Sequence, residues 1–178
     1  ADLAEKFKGT RESDLITHHI YYKDKYGFVP ADSIPESVSW GLEMAYYDWC
    51  IAQLAAKAGN DSLAQAYAGK ASYYKRYLDP ETKMMRPVMA DGTFRTPFNP
   101  RYSSHMKSDY TEGNAFQWSF FVPHDMGNFI SEIGGKEELE ARLDTLFTTS
   151  SQIDGAEASG DITGLIGQYA HGNEPSHH

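Results

Sequence analysis

An acidic residue, Glu112, opens an aromatic-rich segment that runs over residues 109–125. Phe116, Trp118 and Phe120 follow it, and we expect these rings to desolvate the glutamate carboxyl in part. Desolvation raises the pKa of a carboxyl and favours its protonated form near neutral pH. A protonated carboxyl in such surroundings is what general-acid catalysis requires.

The same segment also fits a purely structural role. Thr111 or Asp109 would cap a helix over residues 115–121, and Glu112 would then be a capping-box glutamate. Gly113 would allow the backbone to approach a ligand closely, because glycine has no side chain. On this segment alone, the structural interpretation carries the greater weight.

A second polar motif closes the chain, where flanking glycines surround His171, Asn173 and Glu174. Asn173-Glu174-Pro175 predicts the first turn of a helix, since proline is favoured there. Carboxylate, amide and backbone oxygens are the ligands that Ca²⁺ takes in flexible geometry, and sugar hydroxyls can complete its shell. This motif therefore indicates a site for calcium and a sugar.

Zinc is the alternative ion for the closing motif. Its ligands would be His171, Glu174, His177 and His178. Pro175 and the absence of a regular helical pair of ligands argue against zinc.

Composition limits the classes of function. The chain has 178 residues, enough for one domain, with 16 basic and 25 acidic residues and a net charge of -9. Such a charge argues against nucleic acid as a partner. The sequence has no apolar run near the ~20 residues of a membrane span and no signal-peptide pattern. The single cysteine, Cys50, lies in an apolar helical pattern and is expected to be packed.

Apolar periodicity predicts a mostly helical chain. A helix over residues 35–58 has two apolar stripes about 200° apart, so we expect it to lie between two layers. The next helix, over residues 62–78, has one stripe. A double ring of helical hairpins and a plain bundle both fit this alternation. Further helices are predicted up to Gly27 from a start at Ser13 or Asp14, and over residues 125–133 and 136–148.

A long irregular excursion separates these helices, with a small hairpin predicted at residues 90–93. Arg86, Arg95 and Arg101 lie along or just beyond it. They would either reach a polar ligand or remain solvated.

Both polar motifs resemble glycoside hydrolase family 92, a family of calcium-dependent, exo-acting α-mannosidases. The resemblance covers nearly the whole chain and is carried by residues 35–39, 48–52, 79–82, 111–118, 121–125, 134–137 and 164–178. It implies part of an (α/α)6 barrel, preceded in the family by a β-sandwich, and inverting chemistry. Phe116 stands where the family often has tryptophan.

The resemblance also assigns roles. It implies that Glu112 is the general acid, that His171, Asn173 and Glu174 bind substrate, and that Asn173 and Glu174 are calcium ligands. The family's catalytic-base aspartates lie downstream of the His-Gly-Asn-Glu-Pro-Ser-His-His motif with which this sequence stops.

We therefore expect residues 1–178 to be a piece of one all-α catalytic domain, incomplete at both ends and inactive when isolated. The whole enzyme would be an inverting α-1,2-type mannosidase acting on mannose-containing glycans, and the rest of that domain would be the chain's partner. By resemblance it would be exported, to the periplasm or cell surface. The alternatives are a non-catalytic, calcium-dependent carbohydrate-binding module and another toroid enzyme, such as a lyase.

Overall fold

Helices dominate the chain in a computed structural model, which describes residues 11–155, 160 and 162–173. The side chains of residues 11–17 are not included in that description. The elements are α1 Arg11–Tyr26, α2 Ser37–Lys57, α3 Asp61–Ala71, a 3-10 helix Ser72–Arg76, α4 Ala115–Trp118, α5 Met126–Ile133, α6 Lys136–Thr148, β1 Leu165–Ile166 and β2 Tyr169–Ala170.

Helix α2 has the two apolar stripes that the sequence predicts, and α3 packs against this helix. One stripe is buried in the core and includes Val38, Leu42 and Ala45. On the opposite stripe, Met44 is buried and the Trp40 ring centroid lies 4.1 Å from that of His19, but Trp40 is still 40% exposed and Leu54 is 70% exposed. The predicted second layer is therefore formed only in part by the residues that the structure describes.

The helix predicted over residues 62–78 ends earlier than expected. Beyond Ala71 the backbone tightens into the 3-10 helix, which buries Tyr74 completely. Tyr77 follows, also buried, and its hydroxyl accepts a hydrogen bond of 2.7 Å from the Val29 N–H. A Cβ at Gly41 would lie 2.0 Å from that hydroxyl, so only glycine allows Tyr77 to pack against α2.

Around these tyrosines lies the core. It joins α2 to the irregular excursion and to the segments around α4 and α5. The buried members include Val38, Leu42, Tyr74, Tyr77, Met85, Tyr110, Trp118 and Phe129.

The predicted hairpin is present as a bridge between Val88 and Phe94. The three arginines are tied to the protein rather than presented to a ligand. Arg86 pairs with Asp79 at 3.0 Å, Arg95 with Asp109 at 3.4 Å, and Arg101 with Asp154 at 3.3 Å.

Cys50 is exposed, so the prediction of a packed thiol is wrong. Asp48 and Ala52 are buried on α2. Cys50 is two residues from each, about 200° around the helix, and therefore points away from the core. Across the described ranges, no helix is long and apolar enough to cross a membrane.

Candidate active site

The helix after Glu112 is capped in a way that the sequence analysis missed. Helix α4 has only 4 residues, and its N-cap is Asn114. The Asn114 side-chain oxygen accepts from the Phe116 N–H at 3.0 Å, and Gln117 accepts from the Asn114 N–H at 2.7 Å. An asparagine with a glutamine three residues later forms the capping box. The predictions of a Thr111 or Asp109 cap, and of a capping role for Glu112, are therefore wrong.

Glu112 has a left-handed backbone, with φ of 43°. This conformation costs a non-glycine residue about 1–2 kcal/mol. Its loop is held by a 2.8 Å bond from the Trp118 indole N–H to the Thr111 carbonyl. Another bond of 2.8 Å joins the Thr111 N–H to the Ser39 hydroxyl. In the described structure no hydrogen bond is seen to the partly buried Glu112 carboxyl, which leaves it available to a reactant.

Gly113 makes room for internal packing. It is buried, and a Cβ there would lie 3.0 Å from the Gln117 side-chain oxygen and from the Trp118 ring. Its lack of a side chain therefore serves the capping box and the indole. The expectation that Gly113 admits a ligand has no support in this packing.

Sequence reasoning missed a second carboxyl near Glu112. Glu36 precedes α2 and, like Glu112, has a left-handed backbone, with φ of 56°. The pKa of Glu36 is raised, first by burial and also by the charge of Glu112. A hydrogen bond with the Thr111 side chain and the charge of His105 lower this pKa, but they do not cancel the rise. The two carboxyls therefore interact. Residues 35–37 signalled only a helix start, and sequence gives no sign of a positive φ.

The closing motif reaches the same place from the other end of the chain. The Asn173 side-chain N–H donates to the main-chain carbonyl of Glu112 at 2.6 Å. This bond fixes which end of the amide is nitrogen, so its oxygen faces the other way. That oxygen is buried and has no hydrogen-bond partner among the described residues.

His171 is exposed and lies beside aromatic rings. Its ring nitrogen Nδ1 is 3.2 Å from the Tyr169 hydroxyl. The Tyr169 ring is in turn 5.1 Å from that of Phe147. The strands β1 and β2, which lead into His171, were not predicted, because pairs of two residues are too short to show alternation.

The rest of the motif lies outside the described residues. This applies to Glu174, Pro175, His177 and His178, and so to the predicted helix start and three of the four proposed zinc ligands. Within the described ranges, no three His, Cys, Asp or Glu residues gather as a metal site. The unpartnered amide oxygen of Asn173 is nevertheless the kind of hard donor that Ca²⁺ accepts.

Comparison with known proteins adds sequence and fold relatives. The model of the glycosyl hydrolase family 92 catalytic domain matches residues 4–178. No curated protein matches the chain.

Two solved structures from Bacteroides thetaiotaomicron are similar to it. The family GH92 α-mannosidase BT3965, in complex with mannoimidazole, is 44% identical with a TM-score of 0.77, over 85% of this chain and 20% of that one. The inverting mannosidase BT2199, of the same family, is 34% identical with a TM-score of 0.67, over 75% of this chain and 18% of that one.

A third, the GH92 hydrolase ccman5, is 17% identical with a TM-score of 0.54 and supports the fold alone. The chain spans a fifth or less of the length of these enzymes. Its helices form part of the (α/α)6 barrel expected from the sequence. From the match over residues 4–178 and these structural relatives, the chain belongs to glycosyl hydrolase family 92.

Proposed function

We propose that the chain is a helical segment of the catalytic domain of an inverting exo-α-mannosidase, with Glu112 as its general acid. The observation that carries this proposal is the state of Glu112: a strained, partly buried acid with a carboxyl that no described residue binds. Strain of this kind tends to occur at functional sites, where the surrounding structure maintains it.

A larger domain is part of this proposal. The exposed apolar stripe of α2, with Trp40, Tyr47, Ile51 and Leu54, supports it, since such a surface is normally covered. The rest of the domain would cover this face and supply the catalytic base. Inverting glycosidases need two carboxyls about 6.5–9.5 Å apart, so that a water fits between the base and the sugar.

In the proposed reaction, the Glu112 carboxyl gives its proton to the glycosidic oxygen as the bond from that oxygen to C1 breaks. The base removes a proton from water, which attacks C1 from the opposite face. The sugar product is therefore β-mannose. His171, Asn173 and Glu174 would bind the terminal mannose, and the tie from Asn173 to the Glu112 carbonyl supports a site shared by both motifs.

Calcium fits the donors of the closing motif. Asn173 and Glu174 would hold the ion, Asn173 through a buried side-chain oxygen that has no hydrogen-bond partner among the described residues. When bound, Ca²⁺ would ligate sugar hydroxyls and favour the ring distortion that precedes bond cleavage. The substrates would be mannose-containing glycans with terminal α-1,2-linked residues, and we propose an exported enzyme, in the periplasm or at the cell surface.

The test is an assay of the full-length enzyme on α-1,2-mannobiose. We expect hydrolysis that stops with a calcium chelator and returns with added Ca²⁺, and β-mannose as the first product by proton NMR. No hydrolysis, with binding of mannosides retained, would instead indicate a carbohydrate-binding module. α-Mannose as the first product would contradict the inverting mechanism.

A further inference from the structure

Gln168 joins the two halves of the candidate site. It is fully buried in the turn between β1 and β2. Its side-chain oxygen accepts from the Asn114 amide at 2.8 Å. Its side-chain nitrogen donates to the carbonyls of Ser150 at 2.6 Å and Gln152 at 2.9 Å. One side chain therefore ties the α4 cap to the connector that follows α6.

The main-chain N–H and carbonyl of Gln168 are also hydrogen-bonded. Its N–H donates to the Leu146 carbonyl at 2.7 Å, and its carbonyl accepts from the Gln117 amide at 2.7 Å. A Cβ at Gly167 would lie 2.3 Å from the Leu146 carbonyl, so the turn is seated closely on the end of α6. A buried network in which each member is satisfied holds its parts in one arrangement.

These bonds form a closed circuit around the site. From Glu112 the chain leads to Asn114, and the Asn114 side chain crosses to Gln168. From Gln168 the chain leads to Asn173, and the Asn173 side chain crosses back to the Glu112 carbonyl at 2.6 Å. Two side-chain bonds thus fix where the acid lies relative to the closing motif.

We infer that Gln168 is a positioning residue of the mannosidase reaction: through Asn114 it holds the Glu112 loop against the loop that carries His171 and Asn173. The inference rests on the proposed function. Because Gln168 acts through Asn114, breaking their bond moves the acid without altering any group that touches the substrate. A misplacement of about 1 Å costs on the order of 10²-fold in rate.

Two variants break the same bond from opposite sides in the full-length enzyme. Gln168→Met keeps the side-chain volume without its polar atoms. Asn114→Ser keeps an oxygen that caps α4, since serine is a good N-cap, but does not reach Gln168. Tyr74→Phe is the control, because it removes a partly buried hydrogen bond of 2.8 Å to Asp125, outside the circuit.

The readout is kcat/KM on α-1,2-mannobiose and on 2,4-dinitrophenyl α-mannoside, with active protein counted by fluorescence-monitored mannose binding. For either variant we expect losses of about 10²-fold on the disaccharide and about 10-fold or less on the aryl mannoside, whose leaving group needs little protonation. On the ratio of the two losses, the double variant should be no worse than the poorer single one, because both variants remove the bond between Asn114 and Gln168. Tyr74→Phe should change the two substrates equally.

Equal losses on both substrates, or additive effects in the double variant, would overturn the inference. If Gln168→Met does not fold, the comparison of Asn114→Ser with Tyr74→Phe decides the question alone. Glu112→Gln, measured in parallel, separates the positioning role of Gln168 from the general-acid role of Glu112. If it shows the selective loss while the positioning variants do not, only the role of Gln168 fails. If it shows no selective loss, the proposed function fails.

Discussion

Asn173 and Glu112 are 61 positions apart in the sequence and are joined by one hydrogen bond of 2.6 Å, from the asparagine side chain to the glutamate main-chain carbonyl. The bond fixes the orientation of the amide nitrogen, and the buried amide oxygen has no hydrogen-bond partner among the described residues. A single side chain therefore contacts the Glu112 loop through its nitrogen and carries the oxygen that we propose as a calcium ligand.

Two substitutions of Asn173 separate these roles. Asn173→Ala should weaken calcium dependence and mannose binding together, because both the oxygen and the N–H are lost. Asn173→Asp keeps an oxygen for the ion but loses the N–H that holds the Glu112 carbonyl, so calcium affinity should persist while kcat falls. The measurement is a calcium titration of activity in the full-length enzyme. Equal loss of calcium affinity in both variants would argue against the metal role of the oxygen.

The 178-residue chain should show no mannosidase activity by itself. The proposed reaction needs a base to activate water, and the proposal places that base in the rest of the domain. Aryl α-mannoside hydrolysis by the purified chain, with a Glu112→Gln chain as the control for host enzymes, is the measurement. Turnover that disappears in the control would show that the base lies within these residues.

Asp79 should stabilise the fold in a pH-dependent way. Burial raises its pKa, but hydrogen bonds from Thr82, from the Glu81 N–H and from Arg86 outweigh burial and bring the pKa to about 2. The folded pKa lies below the unfolded one, so this stabilisation is present above about pH 4 and is lost as the pH falls through about 2.

Asp79→Asn should therefore lower the free energy of unfolding by about 2.5 kcal/mol at pH 7. Urea unfolding of both proteins from pH 2 to pH 7 measures this. The difference should shrink as the pH approaches 2, and a pH-independent difference would assign the loss to packing instead.

Ionised Glu36 should destabilise the fold, in contrast to ionised Asp79. Its raised pKa, caused first by burial, means that its charged form opposes folding above its ordinary pKa. Glu36→Gln should therefore raise the melting temperature at pH 7, and the gain should disappear as the pH falls below about 4, where the glutamate is protonated in both states. Glu81→Gln, at an exposed side chain, is the matched control. A gain that persists at low pH would reject an electrostatic cause.

Much of the helical framework follows from the sequence because periodicity and helix stop signals are local. The bounds of α2 and α6 are predicted to within two residues, and the two stripes of α2 are correctly predicted. The 3-10 helix after Ala71 is not, because the burial of Tyr74 and Tyr77 depends on partners distant in sequence.

For the candidate site, too, the sequence predicts some features and not others. Residue type alone identifies Glu112 and Asn173 as candidate site residues. The hydrogen bond that joins them depends on tertiary structure and has no signal in the sequence. Glu36 was missed because its interest lies in a left-handed backbone and a neighbouring acid 76 positions away, neither of which has a sequence signal. Gln168 was missed because a buried glutamine has no pattern of its own.

The most direct test of the account is the dependence of the Glu112→Gln enzyme on its leaving group. General-acid assistance is worth about 10²–10⁴-fold where the leaving group is a sugar alkoxide and little where it is an acidic phenol. In the full-length enzyme, Glu112→Gln should therefore lower kcat/KM by that amount on α-1,2-mannobiose and by less than about 10-fold on 2,4-dinitrophenyl α-mannoside. Equal losses on the two substrates would contradict the assignment of Glu112 as the general acid.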